Sequence, residues 1–370
     1  MGPECSPRDA PAPPRRSTRT CSYGERGKLR APGPPYDQGV NLATLPKVEL
    51  HLHFAGTIAP ALAGRLAQRH GAAVHDLGID GGRYPARYRD LAAFLELYGR
   101  IDELVRAPDD VFEVASALAG VQAAQAVAWT EVITPIWPYL GRGSPAGELW
   151  DALAAGLASG GSEARFGILL EVLPDAVPGP EQLADAVSQG ARRGLPVVGV
   201  GLMGVGPPEG RTRLAQDARA WRAIGLGLQV HAGETGPAEN VDAAIELGAN
   251  RIAHGITIVR VAAILERIVR DRVPLDLCPT SNVAITGIPT LQAHPIRELW
   301  RAGAGITIST DDPPFVGTNL EVELASIAAL LGLDAREVLD LQRRALEVSF
   351  APADVRLAID ARLDAWAAAA

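Results

Sequence analysis

What most constrains this chain is a recurring pattern rather than a recurring sequence. From about Leu45 onward, short apolar, β-branched runs alternate with amphipathic stretches. The runs are Val48–Phe54, Val127–Thr134, Phe166–Leu173, Val197–Leu202, Gly227–His231, Arg251–His254, Pro274–Leu277 and Ile306–Thr310. Between them lie helical patterns such as Leu91–Val105, Glu181–Arg193, Arg211–Ala223, Val241–Leu247, Val261–Arg270 and Ile296–Ala302. Eight strands alternating with helices predict an α/β fold, a (β/α)8 TIM barrel. An open doubly wound sheet is the alternative. Residues 59–125 read as a helical insertion after the first strand, placed over the barrel mouth.

Composition fits a globular domain. Of 370 residues, 47% are hydrophobic and 21% charged, enough for one large barrel. No apolar run reaches the ~18–20 residues of a membrane-spanning helix. The net charge of −8 argues against a nucleic-acid binder or a basic membrane-surface protein. Cys5, Cys21 and Cys278 form neither a disulfide framework nor a CxxC zinc site. With no apolar leader, a reducing cytoplasm is the expected compartment. Residues 1–40 hold eight prolines and carry a net +3, leaving −11 for the body. They read as a disordered tail, with few large apolar residues to offset the ordering entropy. Residues 41–370 read as one barrel domain.

The polar residues fall at strand ends. His51 and His53 end the first strand, His231 the fifth and His254 the sixth, with Glu234 just beyond the fifth and Asp311 and Asp312 after the eighth. In a barrel all seven converge on the C-terminal face, where such folds place their chemistry. His51 and His53 share one face of a strand, close enough to hold one ion. With His231 and Asp311 they make a three-imidazole, one-carboxylate set that suits one Zn²⁺ per chain and leaves room for a water. Zinc lowers the pKa of a bound water to roughly 7. Glu234 is placed to reach substrate, His254 to accept the water's proton, and Asp312 to anchor substrate. As a lone motif, Asp311-Asp312-Pro313 would read as a polar turn with a capping Asp. His70, His75 and His294 have no role in this scheme.

Two motif matches lead nowhere. Gly199-Val-Gly201-Leu-Met-Gly204 has dinucleotide-loop spacing, but the prolines at 207 and 208 prevent a helix from opening there. The HxE…PCxxC pattern of zinc-dependent nucleobase deaminases is missing. Cys278 has no second cysteine nearby and reads as a buried strand-end residue.

Together, Leu45-Pro-Lys-Val-Glu-Leu-His-Leu-His53, His231-Ala-Gly-Glu234, Arg251-Ile-Ala-His-Gly255, Cys278-Pro-Thr-Ser-Asn282 and Ser309-Thr-Asp-Asp-Pro313 resemble the adenosine deaminase family of the amidohydrolase superfamily, in family order. The resemblance implies a one-zinc barrel that hydrolyses the 6-amino group of an adenine-type ring to a 6-oxo group and ammonia. It implies His51, His53, His231 and Asp311 as zinc ligands and Glu234 as the proton donor to ring N1. His254 would orient and deprotonate the water, Asp312 would meet the ring near N7, and the Gly204 backbone would meet N3.

Two positions depart from the family pattern. Members acting on adenosine have an acidic residue, which binds the 5′-hydroxyl, where this chain has Ala55. An Asp common in the family is replaced by Gly201. Both departures resemble the branch that deaminates aminodeoxyfutalosine, in menaquinone synthesis, whose substrate carries a bulky 5′ group. The expected partner is therefore a small 5′-modified purine nucleoside, with no nucleic acid or membrane involved; a homo-oligomer stays open. A plain adenosine or adenine deaminase and a non-catalytic binding barrel are the rival readings. Phe94, Leu95 and Tyr98 on the inserted helix and Trp137 after the second strand are the further pocket candidates.

Overall fold

The computed structural model describes residues 42–161 and 164–369. The expected tail, 1–40, lies outside the described residues. Eight strands run β1 Lys47–His53, β2 Val127–Thr134, β3 Arg165–Val172, β4 Val197–Leu202, β5 Gly227–Ala232, β6 Arg251–His254, β7 Leu275–Leu277 and β8 Ile306–Ile308. Each is parallel to its successor, in the order β1 to β8. The seam from β8 back to β1 is short. Leu52 and Asp311 form a parallel bridge. Asp311 N–H donates to His51 O at 3.0 Å, and His53 N–H to Asp311 O at 3.1 Å. The sheet thus curls into a barrel, and the open-sheet alternative falls away.

Fifteen α-helices accompany the strands among the described residues. Those after β1 are α1 Pro60–Arg69, α2 Leu91–Asp102 and α3 Pro108–Ala124. Short α4 Ile136–Gly141 and longer α5 Ala146–Ala158 follow β2. Next come α6 Pro180–Ala191, α7 Arg211–Ala223, α8 Glu239–Leu247 and α9 Ala262–Asp271. The last are α10 Pro279–Ile285, α11 Ile296–Ala302, α12 Pro313–Val316, α13 Leu320–Leu331, α14 Ala335–Val348 and α15 Ala353–Ala369. No described helix is long and apolar enough to cross a membrane.

The insertion is smaller than its sequence span suggests. Asp90 caps α2 by accepting from Ala93 N–H at 2.8 Å, and α2 carries Tyr98 to the barrel mouth. By contrast, α3 packs against β2 and α5 as an ordinary outer-ring helix.

The barrel interior holds a buried polar layer. Arg251 pairs with Glu131 and donates to Leu50 O at 3.2 Å, and its guanidinium lies 4.4 Å from the Phe350 ring centre. Asp276 accepts from Thr307 and Ser309 hydroxyls, both at 2.9 Å. Ser309 Oγ in turn accepts from Leu50 N–H at 3.1 Å, which ties β8 to β1.

Candidate active site

Strand ends bring four donors together. His51 Nε2 lies 3.4 Å from His53 Nε2 and 2.9 Å from His231 Nε2, and the latter two are 3.2 Å apart. Asp311 Oδ1 lies 3.3 Å from His51 Nε2 and 3.2 Å from His53 Nε2. Ligands ~2.0–2.1 Å from a tetrahedral zinc are separated by about 3.3 Å, so the spacing fits that ion. The tautomer fits as well. His231 Nδ1–H donates to Leu202 O at 3.2 Å, which turns the bare Nε2 inward.

Charge agrees with geometry at three of the four donors. Burial and the surrounding imidazoles hold His231 well below its usual pKa. Burial pushes Asp311 upward, but the neighbouring His51 and His53 outweigh it and hold the carboxyl well below its usual range. Its second oxygen accepts from Ser281 Oγ at 2.7 Å. Burial lowers His51 as well, but at His53 burial is outweighed by the hydrogen bond to Asp311 and the nearby Asp312, which push the pKa up to about 9, so a divalent metal would displace a proton from His53 on binding. The cluster is also strained, since Asp311 and His254 take left-handed backbone at φ 68° and 69°. Gly255, at φ 72°, follows His254, and a Cβ on it would lie 2.7 Å from Leu275 Cδ2. The left-handed backbone there favours glycine, and any side chain would have to push Leu275 aside.

Round this cluster stand three more titratable groups. Glu234 Oε2 is 3.8 Å from His254 Nε2, and burial raises the Glu234 pKa above its usual value. The His254 ring packs edge-on to that of His51, centroids 4.8 Å apart. Asp312 is the N-cap residue before α12, but its side chain makes no capping hydrogen bond. Its Oδ1 is buried without a hydrogen-bond partner, and burial, then Asp311, push its pKa well up.

The remaining pocket candidates divide. Tyr98 stands 6.2 Å from the His53 ring with its hydroxyl buried and unpartnered. Phe94 packs behind it against Tyr98 and Phe315, at 5.8 Å from each. Leu95 is corrected: it is 52% exposed, because one residue further round a helix turns away by about 100°. Trp137 is half-buried on α4 and packs against the core. Ala55 is corrected too. It is fully buried in the core, since Phe54 takes helical backbone and starts a tight turn there. Gly56 instead meets the site: a Cβ on it would lie 1.9 Å from Asp312 Oδ1. Gly204 is half-buried beyond β4 at φ 115°. At Gly201 a Cβ would lie 3.0 Å from Ile133, so an Asp there needs Ile133 to move. Cys278 Sγ is buried 3.5 Å from His51 Nδ1, and burial raises its thiol pKa, as suits an inert strand-end residue.

Sequence reasoning missed several residues. Ser281 and Asn282 reach Asp311 and His254 from consecutive positions of α10, at 2.7 and 3.1 Å. His294 supports Asn282 at 3.1 Å. Glu171, opposite Gly201 in the β3–β4 register, is pushed up to about 7 by burial. The Cys278–Asn282 segment was the available signal for the first two. The His294-Pro stretch, which resembles the aminodeoxyfutalosine branch, was the signal for His294, and no sequence pattern pointed to Glu171.

An eight-stranded barrel with metal-competent donors and unspent carboxyls at its C-terminal mouth belongs to the class of barrel enzymes. Comparison makes the class specific. The adenosine deaminase family model matches residues 46–366, and this chain belongs to that family as a hydrolytic aminohydrolase. It is 36% identical over 371 residues to aminodeoxyfutalosine deaminase of Streptomyces coelicolor, covering 96% of this chain and 95% of that one. It is also 36% identical over 330 residues to adenine deaminase of the same organism, covering 87% and 94%. Among solved structures, adenine deaminase from Arthrobacter aurescens matches with TM-score 0.74 at 25% identity, covering 88% of this chain and 99% of that one. An amidohydrolase from Burkholderia ambifaria with bound Zn matches with TM-score 0.70 at 24% identity, covering 88% and 94%, a likeness of fold.

Proposed function

We propose that the chain hydrolyses the 6-amino group of a 5′-modified purine nucleoside such as aminodeoxyfutalosine, with one zinc ion held by His51, His53, His231 and Asp311. The observation that carries this is the placement of Glu234 and Asp312, two buried carboxyls, beside the four-donor cluster. Bound by these four residues, zinc would supply Lewis acidity that brings the pKa of a water to roughly 7. Glu234, whose protonated form burial favours, gives its proton to ring N1 and makes C6 electrophilic. Burial and then Asp311 favour the protonated form of Asp312 as well, and a protonated carboxyl with a free oxygen suits N7, an acceptor. The Gly204 backbone meets N3. His254 holds the attacking water; of that water's two protons one leaves with ammonia and the other restores Glu234, while Tyr98 on α2 covers the ring and excludes bulk solvent.

The 5′ preference rests on the absence of a carboxylate from position 55 and on the 36% identity to aminodeoxyfutalosine deaminase. The equal identity to adenine deaminase favours one rival, a free adenine with no 5′ group to place. Ammonia release from adenosine, adenine, methylthioadenosine and aminodeoxyfutalosine separates them. The proposal expects turnover of the 5′-modified nucleosides. Efficient turnover of adenosine alone overturns the 5′ preference, turnover of adenine alone supports the rival, and no ammonia from any of the four overturns purine deamination. The zinc site and the reaction belong in the cytoplasm if the pathway is menaquinone synthesis.

A further inference from the structure

His294 stands outside the chemistry so far described, yet it is buried and both its ring nitrogens are engaged. Ile296 N–H donates to His294 Nδ1 at 3.1 Å. A backbone N–H can only donate, so Nδ1 carries no proton. Burial lowers the His294 pKa to about 4, so the ring is neutral and its proton is on Nε2. That Nε2 lies 3.1 Å from Asn282 Oδ1, which must accept. The amide is thereby oriented, and its Nδ2 points at His254 Nδ1, 3.1 Å away. An amide NH₂ can only donate, so His254 Nδ1 is the acceptor. A neutral His254 then carries its proton on Nε2, the nitrogen that faces Glu234 at 3.8 Å. His254, Asn282, His294 and Ile296 are all buried, so water does not compete with the chain of bonds.

We propose that His294 and Asn282 are positioning residues that fix the tautomer of His254. The resting His254 offers an Nε2–H donor to the attacking water rather than a bare nitrogen. The sequence-based expectation that His254 deprotonates the water requires the opposite tautomer. The consequence for catalysis rests on the deaminase reading above, whereas the tautomer itself does not.

Long-range ¹H–¹⁵N correlation of the imidazoles in ¹⁵N-labelled, zinc-loaded protein tests this directly. His254 and His294 are both expected to show protonated Nε2 and bare Nδ1. Asn282→Asp puts an acceptor opposite His254 Nδ1, moves the proton there and lowers kcat by ~10²-fold with little change in KM. His294→Leu releases the amide and mixes the two forms, while His294→Gln, with an N–H near the Nε2 position, restores the original pattern. A wild-type His254 with protonated Nδ1, or an Asn282→Asp spectrum unchanged at His254, overturns the proposal. If His294→Leu does not fold, the wild-type and Asn282→Asp spectra decide. The expected spectra in a protein that releases no ammonia from any aminopurine would uphold the relay and defeat the deaminase reading.

Discussion

At position 56 even a methyl group would overlap Asp312 Oδ1, with 1.9 Å between Cβ and oxygen. Gly56→Ala should therefore push the Asp312 carboxyl aside and cost activity, by ~10²-fold if one ring contact made in the transition state is lost. Bound zinc should be unchanged, and metal content read beside turnover checks both points. Glu234→Gln keeps the size of the side chain but has no proton to give, so kcat should fall ~10²–10⁴-fold with zinc retained. Asp311→Ala should lose zinc and activity together, and a fully active, zinc-free variant would refute the metal assignment. The four proposed zinc ligands were readable in the sequence, because strand alternation and strand ends dictate where their side chains emerge. That Gly56 rather than Ala55 faces the site was not, because the φ/ψ of the intervening turn decides it.

At the scale of elements, local periodicity predicted most segments closely, and α7 and α11 have the expected bounds. It gave β7 one residue too many, since Pro274 has no N–H for a ladder. In β1, alternation groups Glu49 with His51 and His53, but a register irregularity between Glu49 and Leu52 breaks it. The Glu49 carboxyl accepts instead from Gln122 of α3 and from Thr310. Burial there pushes its pKa from 4.5 to about 7. Between those pH values the folded chain holds a proton that the unfolded chain has lost. This site's contribution to stability thus falls as pH rises through that window. Glu49→Gln should remove the slope and stabilise the protein by roughly 3 kcal/mol above pH 7. Urea unfolding of both proteins at pH 5 and pH 8 checks this, and a difference independent of pH would contradict it.

For the whole molecule, the polar layer inside the barrel matters most. Arg251 and Glu131 are both fully buried. Arg251→Met leaves a carboxylate without its cation and should cost ~3–5 kcal/mol of unfolding free energy. Adding Glu131→Gln should recover much of that loss, and chemical denaturation of the single and double variants measures both. The sequence by itself determined that eight strands alternate with helices, and that histidines and carboxylates end particular strands. Those features depend on side-chain period and propensity, which act between near neighbours in the chain. Tertiary structure alone decided that the Asp311 backbone joins the β8–β1 seam. It also decided that Arg251 finds Glu131, 120 positions away, and that His294 reaches His254 through Asn282. Each of these depends on which distant backbones meet when the barrel curls shut, a geometry that no window of the sequence contains.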